Sequence, residues 1–210
     1  MKLAIFGGTG NTGKLLVGQA LDAGNQVVAY VRDPTKLDIK SDRLAIIQGE
    51  LVDEEKIESA LKGAGAVLSA LGPKGGSKGK PLTRGMQVII AAMKRQGVRR
   101  LIVTSTLSAK DPHDLPEFRA RVLVALVRLA MRGAYEEILS VADTVRESDQ
   151  DWTIVRLTML NDKPKSGKVR AGYLGKSEVG TWISRADVAD FMLQQVQDAK
   201  YLRQAPAISN

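Results

Sequence analysis

The sequence predicts an α/β protein built on a doubly wound parallel sheet, with a small irregular lobe near the C-terminus. Segments of strand length alternate with segments of helical periodicity from Leu3 to Leu157, an order typical of such sheets. A glycine-rich turn joins the first strand to the first helix. Because 210 residues suffice for one compact domain with a good core, we expect a single domain over 1–210, with 159–182 as the lobe.

Gly7, Gly10 and Gly13 form a G-x-x-G-x-x-G turn directly after the first strand, Leu3 to Phe6. Glycines at this spacing permit a tight turn, close approach of the backbone to a pyrophosphate, and close packing of the helix on the strand. The second strand, Gln26 to Val31, ends about 20 residues further on, as a dinucleotide-binding fold requires. We therefore predict a nucleotide-binding turn, the alternative being a turn that binds nothing. Short polar side chains in the turn would bond phosphate or cap the helix, namely Thr9, Asn11 and Thr12.

The residue after the second strand indicates which dinucleotide the turn binds. A carboxylate there accepts hydrogen bonds from the ribose 2′-hydroxyl of NAD, whereas arginine accommodates the 2′-phosphate of NADP. Arg32 occupies this place, and Asp33 follows it, where we expect it to cap the turn before Pro34. The sequence therefore predicts NADP, supplied as NADPH, as the cofactor.

The next predicted elements are two strands and, between them, a helix whose first turn is acidic. Leu44 to Gln48 is the third strand, and Asp53-Glu54-Glu55 suits the first turn of the next helix. Ala64 to Leu71 is the fourth strand, and its end, Leu71-Gly72, is expected beside the cofactor at the carboxyl edge of the sheet. The following segment, 73–80, contains three lysines and three glycines and is either a solvated linker or a basic lid.

Three hydroxyl side chains come at the end of the fifth predicted strand. Thr83 to Gln96 has one apolar face and predicts a helix, and Arg100 to Thr104 is the strand after it. This strand delivers Thr104, Ser105 and Thr106 to the carboxyl edge, where they either contact a substrate or form hydrogen bonds within the loop. Ser105 and Thr106 are the candidate catalytic residues.

The second half of the chain continues the alternation. Phe118 to Arg132 is apolar on most sides, so we expect a helix that covers the substrate cleft or meets a second subunit, with a membrane-surface role as an alternative. Residues 161–180 mix five Lys or Arg with four Gly, which suits an irregular lobe. The other predicted elements are a helix from Tyr135 through Val145, strands at Trp152 to Leu157 and Val169 to Leu174, and a final helix with Ser184 as N-cap and Asp187 in the capping-box position.

Composition narrows the classes of function. The formal net charge of +8 suits nucleic acid, a membrane surface or an anionic small ligand. Basic residues are spread along the chain and no nucleic-acid-binding motif is visible, so an anionic cofactor and a small-molecule substrate explain the charge more simply. The chain has no cysteine, no apolar run of membrane-spanning length and one histidine, His113, in a polar loop. We expect a cytoplasmic monomer or homodimer that binds neither metal nor nucleic acid.

Six motifs spread over nearly the whole chain carry a family resemblance. They are Gly7-Gly8-Thr9-Gly10-Asn11-Thr12-Gly13, Val31-Arg32-Asp33, Ala91-Ala92-Met93-Lys94 with Gly97-Val98, Arg146-Glu147-Ser148, Trp152-Thr153-Ile154-Val155-Arg156 and Ile183-Ser184-Arg185-Ala186-Asp187-Val188-Ala189. Together they resemble the atypical short-chain dehydrogenases/reductases, specifically the NmrA-like group with biliverdin IXβ reductase/flavin reductase and bacterial NADH-flavin reductases. The resemblance implies a Rossmann-type NAD(P)-binding domain.

The resemblance also implies roles for individual residues. Ser105 or Thr106 would lie near the nicotinamide. Three departures matter: Gly49-Glu50 stands where the family has Gly-Asp, Arg156-Leu157 where many relatives have Arg-Pro, and Tyr135 is followed four positions later by Leu139 rather than by lysine. The residues that would line the NADP site are Gly7, Thr9, Gly10, Asn11, Thr12, Gly13, Arg32, Leu51, Leu71 and Gly72.

Two functions follow from these expectations. The first is an NADPH-dependent reductase of a flavin, a quinone, a biliverdin-like compound or a similar conjugated acceptor. The second is a redox sensor of the NmrA-like type that holds NADP without turnover. The sequence does not identify the acceptor.

Overall fold

The computed structural model describes residues 1–73, 79–176 and 178–210. Its helices are α1 (Asn11–Asp22), α2 (Glu54–Leu61), α3 (Pro81–Gln96), α4 (Phe118–Ala130), α5 (Arg132–Arg146) and α6 (Arg185–Gln194), with a 3-10 turn at Pro34–Lys36. Its strands are β1 (Lys2–Phe6), β2 (Gln26–Val31), β3 (Leu44–Gln48), β4 (Ala66–Ser69), β5 (Arg100–Thr106), β6 (Asp151–Leu157), β7 (Met159–Asn161), β8 (Arg170–Gly172), β9 (Trp182–Ser184) and β10 (Ala207–Ser209).

The main sheet has the strand order β3-β2-β1-β4-β5-β6-β10-β8. Strands β1 to β6 and β10 are parallel, and β8 pairs antiparallel with β10 at the edge. The order reverses between β1 and β4, which is where ligands bind in such sheets, outside the carboxyl ends of the strands. The predicted fold class, a doubly wound parallel sheet, is confirmed.

The central strands are buried on both faces because helices cover both sides of the sheet. Side chains alternate, so Ala4 and Phe6 of β1 belong to the apolar layer with α2, α3 and α5, whereas Leu3 and Ile5 belong to the layer with α1 and α6. All four are at most 1% exposed. Burial on both faces explains why β1 is a continuous apolar run rather than an alternating one.

Local sequence patterns predicted most of these elements. Strands β2 and β3 have the predicted bounds, and the predicted N-cap of α6 is confirmed, since the Ser184 hydroxyl accepts a hydrogen bond from the N–H of Asp187. The predicted strand 64–71 was too long, because β4 spans only Ala66–Ser69. The predicted strand 169–174 was likewise too long, and β8 joins the edge of the main sheet. Residues 74–78 of the predicted linker or lid lie outside the described residues.

The predicted helix over 118–132 ends earlier than expected. Met131 leaves helical geometry, with φ −136° and ψ 48°, so α4 ends at Ala130 and α5 begins one residue later. Three apolar side chains along α4 are exposed, with exposed fractions of 43% for Val122, 59% for Leu126 and 85% for Leu129. Within the described residues, no helix combines the length and apolarity needed to cross a membrane.

The buried carboxylate of Asp187 connects separate segments of the C-terminal part of the chain by hydrogen bonds. Asp187 accepts hydrogen bonds from the N–H groups of Ser166 and Gly167 at 2.9–3.1 Å and from the Ser184 hydroxyl at 2.6 Å. The side-chain amide of Asn210 also donates to it. Although burial alone would raise the pKa of Asp187, these hydrogen bonds hold it below its usual value. The segment after β7 and the last residue are thereby fixed to the start of α6.

Candidate functional site

Two glycines of the turn at the end of β1, Gly7 and Gly13, have no room for a side chain. Gly7 has a φ of +80°, and a Cβ added to it would lie 2.8 Å from the carbonyl group of Ala70. A Cβ on Gly13 would lie 2.0 Å from the carbonyl oxygen of Gly7. The turn is closed by a hydrogen bond from the N–H of Gly10 to the same oxygen, at 3.0 Å. The first turn of α1 therefore packs directly against the end of β1, as the glycine spacing predicts.

The start of α1 presents unpaired backbone donors at this turn. Gly10 is the N-cap and provides no side-chain cap, so the capping alternative for Thr9, Asn11 and Thr12 is not used at this position. No acidic residue lies in the first turn. Thr9 and Thr12 are half-buried, and Asn11 is exposed. The combination of free N–H groups, a positive helix end and short polar side chains suits a pyrophosphate.

The end of β2 offers a free cation rather than a free carboxylate. The Asp33 carboxylate accepts hydrogen bonds from the backbone N–H and the hydroxyl of Thr35, at 3.2 and 2.5 Å, and lies 3.0 Å from the Lys36 ammonium. The Thr35 hydroxyl, followed by Lys36, holds the pKa of Asp33 below its usual value. Arg32 is exposed, and its guanidinium has no hydrogen-bond partner among the described residues. The prediction that Asp33 caps the turn before Pro34 is confirmed.

The turn after β3 is fixed by a tyrosine from the neighbouring strand. The Tyr30 hydroxyl donates to the carbonyl of Glu50 at 2.7 Å, and burial, followed by the charges of Asp53 and Glu50, raises the pKa of Tyr30 to about 12. A Cβ on Gly49 would lie 2.1 Å from that hydroxyl oxygen, so only glycine fits there. Leu51 follows the turn and packs against α3 at Gly85. The carboxylate of Asp53, which accepts from the N–H of Glu50 at 2.9 Å, completes the turn.

A narrow cleft of about 110 Å³ lies at the carboxyl ends of β4 and β5. It brings Ser105 and Thr106 together with Leu71 and Gly72, four of the sequence-predicted residues. Its other lining residues include Ser69, Leu82, Met86, Val103, Ile138 and Val141. The volume is below the roughly 300–1,000 Å³ of sites that enclose a drug-sized ligand, so the cleft suits one ring of a larger molecule.

The hydroxyls of this cleft differ in how they are bonded. Thr104 donates to the carbonyl of Ser69 at 3.3 Å, and the Thr106 hydroxyl accepts from the N–H of Ser108 at 3.3 Å. Strand β5 extends through Thr106, beyond the predicted end at Thr104, and Thr104 bonds the neighbouring strand β4. The loop-bonding alternative therefore holds only for Thr106. Ser105 is half-buried and makes no side-chain hydrogen bond with a described residue. The hydroxyl of Ser69, which is fully buried, also lacks a partner there.

A wider groove of about 960 Å³ is lined in part by residues next to those of the narrow cleft. Thr106 lines the cleft, and Leu107, the next residue, lines the groove. On α5, Ile138 lines the cleft, and Tyr135, about one turn earlier, lines the groove. The groove runs between α4, the start of α5 and the loop 107–117. The residues that line it are Leu107, Lys110, Asp111, Asp114, Leu115, Pro116, Glu117, Val124, Ala125, Arg128, Leu129, Arg132, Tyr135 and Leu174.

A buried ion pair that the sequence did not indicate holds the groove wall. The guanidinium of Arg156, which is 0% exposed, donates to both carboxylate oxygens of Asp114, at 2.6 and 2.8 Å, and to the carbonyl of Ala205 at 2.5 Å. Asp114 also accepts from the N–H groups of Asp111 and Leu174, both at 2.9 Å. The loop 107–117 is thereby joined to β6 and to the segment after β8. Arg156 carried part of the family resemblance, but its partner lies too far away in the sequence to be found from spacing.

His113 lies on the outer side of this loop. Its side chain is 53% exposed, its Nδ1 lies 2.7 Å from the Asp111 carboxylate, and its ring packs on that of Tyr173. The prediction of a surface loop is confirmed.

Comparison with known proteins identifies relatives along most of the chain. The oxidoreductase GME11367 of Pestalotiopsis microspora is 29% identical over 94% of this chain and 80% of its own length. The UPF0659 protein C216.03 of Schizosaccharomyces pombe is 30% identical over 90% of this chain and 81% of its own length.

Solved structures show the same fold. A short-chain dehydrogenase/reductase from Veillonella parvula in complex with NADP has a TM-score of 0.81 at 20% identity, with 100% of this chain and 94% of that chain covered. ChuY from Escherichia coli O157:H7, described as an anaerobilin reductase, has a TM-score of 0.81 at 19% identity, with 100% and 97% covered. A sequence model described as NAD(P)H-binding matches residues 7–199, which include the glycine turn and the carboxyl ends of β2 to β6. The resemblance found in the sequence motifs is thus confirmed, and the chain belongs to this NAD(P)H-binding family.

Proposed function

We propose that the protein is an NADPH-dependent reductase that transfers a hydride to a conjugated small-molecule acceptor, such as a flavin, a quinone or a biliverdin-like compound. The position of the narrow cleft carries this proposal, because Ser105 and Thr106 lie there beside Leu71 and Gly72, at the sheet edge that also holds the glycine turn. Bound NADPH would supply the hydride and become NADP⁺, while the acceptor gains that hydride and one proton from water.

The names of several relatives support a reductase. One relative is the (4-alkanoyl-5-oxo-2,5-dihydrofuran-3-yl)methyl phosphate reductase of Streptomyces griseus, which is 27% identical over 73% of this chain and 46% of its own length. ChuY is an anaerobillin reductase by its description. Both names describe reductases, the class of enzyme that we propose for this chain.

The chain's own residues fit the phosphates of NADP. A side chain at Gly7 or Gly13 would collide with neighbouring backbone, so these glycines keep α1 close to the end of β1, where its N–H groups are free to bond a pyrophosphate. Arg32 would hold the 2′-phosphate, and Leu51 would flank the adenine end of the site. Ser105 and Thr106 would orient the nicotinamide or the acceptor by hydrogen bonds.

We expect Arg32→Ala to weaken NADPH binding by roughly ten- to a hundredfold, since one charge-assisted bond to phosphate is worth about 1.5–3 kcal/mol. NADH binding should change little, because NADH lacks the 2′-phosphate. Both dissociation constants are measured by titration of the intrinsic NAD(P)H fluorescence. Lys94→Ala serves as a control, as it removes one exposed cation from the last turn of α3, at the opposite edge of the sheet. An equal loss for the two cofactors would remove the assignment of Arg32.

We expect conjugated acceptors to be reduced far better than simple ketones. A ketone needs a proton from a positioned acid, which contributes about a hundred- to ten-thousandfold, and Tyr135 is followed by Leu139 instead of the lysine that lowers a tyrosine pKa. A conjugated acceptor spreads the incoming charge and takes its proton from water. Single-turnover hydride transfer is compared for FMN, a quinone and a panel of ketones, in wild type, Tyr135→Phe and Ser105→Ala.

Flavin or quinone reduction should survive Tyr135→Phe and fall modestly in Ser105→Ala. Efficient ketone reduction that disappears in Tyr135→Phe would contradict this mechanism and assign the proton to the tyrosine. Tight NADPH binding without turnover on any acceptor would favour the redox-sensor function instead.

A further inference from the structure

We propose that the wide groove selects acceptors that carry a phosphate or carboxylate group, with Arg128 and Lys110 binding that group. The inference rests on the proposed reductase function and names the class of its substrate. It follows from three features of the groove: its position, its apolar walls and the charges that are free in it.

The position of the groove fits a molecule that reacts in the narrow cleft and extends beyond it. The two cavities have neighbouring linings, with Thr106 and Ile138 in the cleft and Leu107 and Tyr135 in the groove. A planar ring in the narrow cleft would therefore have its substituents in the groove. At about 960 Å³, the groove is large enough for the rest of a flavin-sized acceptor.

The walls of the groove suit the apolar part of such a molecule. Leu115 and Leu129 are 49% and 85% exposed, so each offers apolar surface to a ligand. Leu174 faces them from the segment after β8, and the N–H of Leu115 donates to its carbonyl at 2.8 Å. Burying this apolar surface against a ligand would favour binding.

The groove lining carries cations without an ion-pair partner within contact distance in the described part of the chain, although the Glu136 carboxylate also attracts Arg128. Lys110 and Arg128 are exposed, and neither forms an ion pair with a described residue. Arg132 also lines the groove but lies 2.8 Å from Glu136. Glu117 is a half-buried carboxylate in the lining and opposes the two free cations in part.

The other two acids among the described lining residues have partners within the protein. Asp114 is paired with Arg156, and Asp111 accepts from the N–H groups of Ala205 and His113 at 2.6 and 2.9 Å. Both carboxylates are therefore satisfied by the protein itself. An anionic substituent would find free donors at Arg128 and Lys110, whereas a neutral one would leave them in water.

Two matched pairs of probes test the proposal by equilibrium binding. FMN and riboflavin differ by one phosphate, and 1,2-naphthoquinone-4-sulfonate and 1,2-naphthoquinone differ by one sulfonate. Each probe is titrated into protein that is saturated with NADP⁺. The anionic group of the probe then cannot occupy the phosphate sites of the cofactor. Dissociation constants come from flavin or protein fluorescence. The variants are Arg128→Met and Lys110→Met, with Lys94→Met as the matched loss of a distant exposed cation.

We expect each anionic probe to bind about tenfold more tightly than its neutral partner in wild type, and the difference to fall to about two- to threefold in Arg128→Met. Lys94→Met should leave it unchanged. Equal affinities within both pairs, or an unchanged preference in Arg128→Met and Lys110→Met, would overturn the proposal.

A separate measurement distinguishes this failure from failure of the proposed function. Single-turnover reduction by NADPH shows whether the site transfers hydride at all, whatever the charge of the acceptor. Reduction of both members of a pair with equal affinity would reject the anion site and keep the reductase. Preferred binding of the anionic members without any reduction would keep the anion site and reject the reductase.

Discussion

Replacing Gly13 with alanine should weaken NADPH and NADH binding by about a hundredfold or more. The new Cβ would lie 2.0 Å from the carbonyl oxygen of Gly7 and 2.8 Å from its carbonyl carbon, both of them backbone atoms that no rotamer change can move. Helix α1 must then shift away from the end of β1. Its free N–H groups would no longer point at the pyrophosphate, and the loss of two charge-assisted hydrogen bonds would account for the expected change.

The same helix provides a matched control. Gly18 also lies in α1, but a Cβ added there meets nothing within 4 Å. Gly18→Ala should therefore leave both dissociation constants unchanged and stabilise the helix by about 1 kcal/mol. The free energy of unfolding from denaturant titration and the two cofactor affinities are measured for both variants. Wild-type affinity in Gly13→Ala would show that the turn does not hold the pyrophosphate.

The parts of the fold that local patterns specify were predictable. Strands β2 and β3 are apolar runs with the observed bounds, and the glycines mark the turn between β1 and α1. Strands β7, β9 and β10 were not predicted, because each has three residues and depends on pairing with distant segments. The break between α4 and α5 was predicted between Arg132 and Tyr135, but it lies at Met131. The sequence around Met131 remains apolar and helix-compatible there, and the nearest glycine, Gly133, lies inside α5.

The same distinction, between features set by local sequence and features set by distant contacts, applies to the candidate site. Arg32, Leu71, Gly72, Ser105 and Thr106 were located from the sequence because the topology brings the carboxyl ends of parallel strands to one edge. Neither the groove wall nor its supporting ion pair could be found this way. In the sequence, Asp114 is an ordinary acidic residue of a polar turn. A single sequence gives no signal that it pairs with Arg156 of β6, a strand that begins much later in the chain.

Breaking that ion pair should be strongly destabilising. Asp114→Asn leaves the fully buried guanidinium of Arg156 without a countercharge, for which we expect a loss of about 3–5 kcal/mol in the free energy of unfolding. Arg156→Met combined with Asp114→Asn should recover part of this loss, since no buried charge then remains. Glu136→Gln, which breaks the exposed pair with Arg132, should change stability little. Equal stability of Asp114→Asn and Glu136→Gln would contradict the role of the buried pair.

The pair should also make stability depend on pH. Burial alone would raise the pKa of Asp114, but hydrogen bonds from Arg156 and from two backbone N–H groups outweigh it and hold the pKa below its usual value. A carboxyl group with a lowered pKa in the folded state stabilises the protein fully above its unfolded pKa, about 3.9, and this contribution is lost as pH falls through the folded pKa. The acid limb of the stability curve should therefore be shallower in Asp114→Asn than in wild type.

Loss of the ion pair between Asp114 and Arg156 should affect acceptor binding but not cofactor binding. Asp114 holds the N–H of Leu174, and Leu174 in turn pairs with Leu115, so the ion pair fixes two apolar walls of the groove but no part of the glycine turn. Under conditions where the variant is folded, Asp114→Asn should weaken FMN binding severalfold and leave the NADPH dissociation constant unchanged. A parallel loss of both affinities would mean that the pair supports the sheet as a whole. An unchanged FMN affinity would mean that the acceptor does not use this groove.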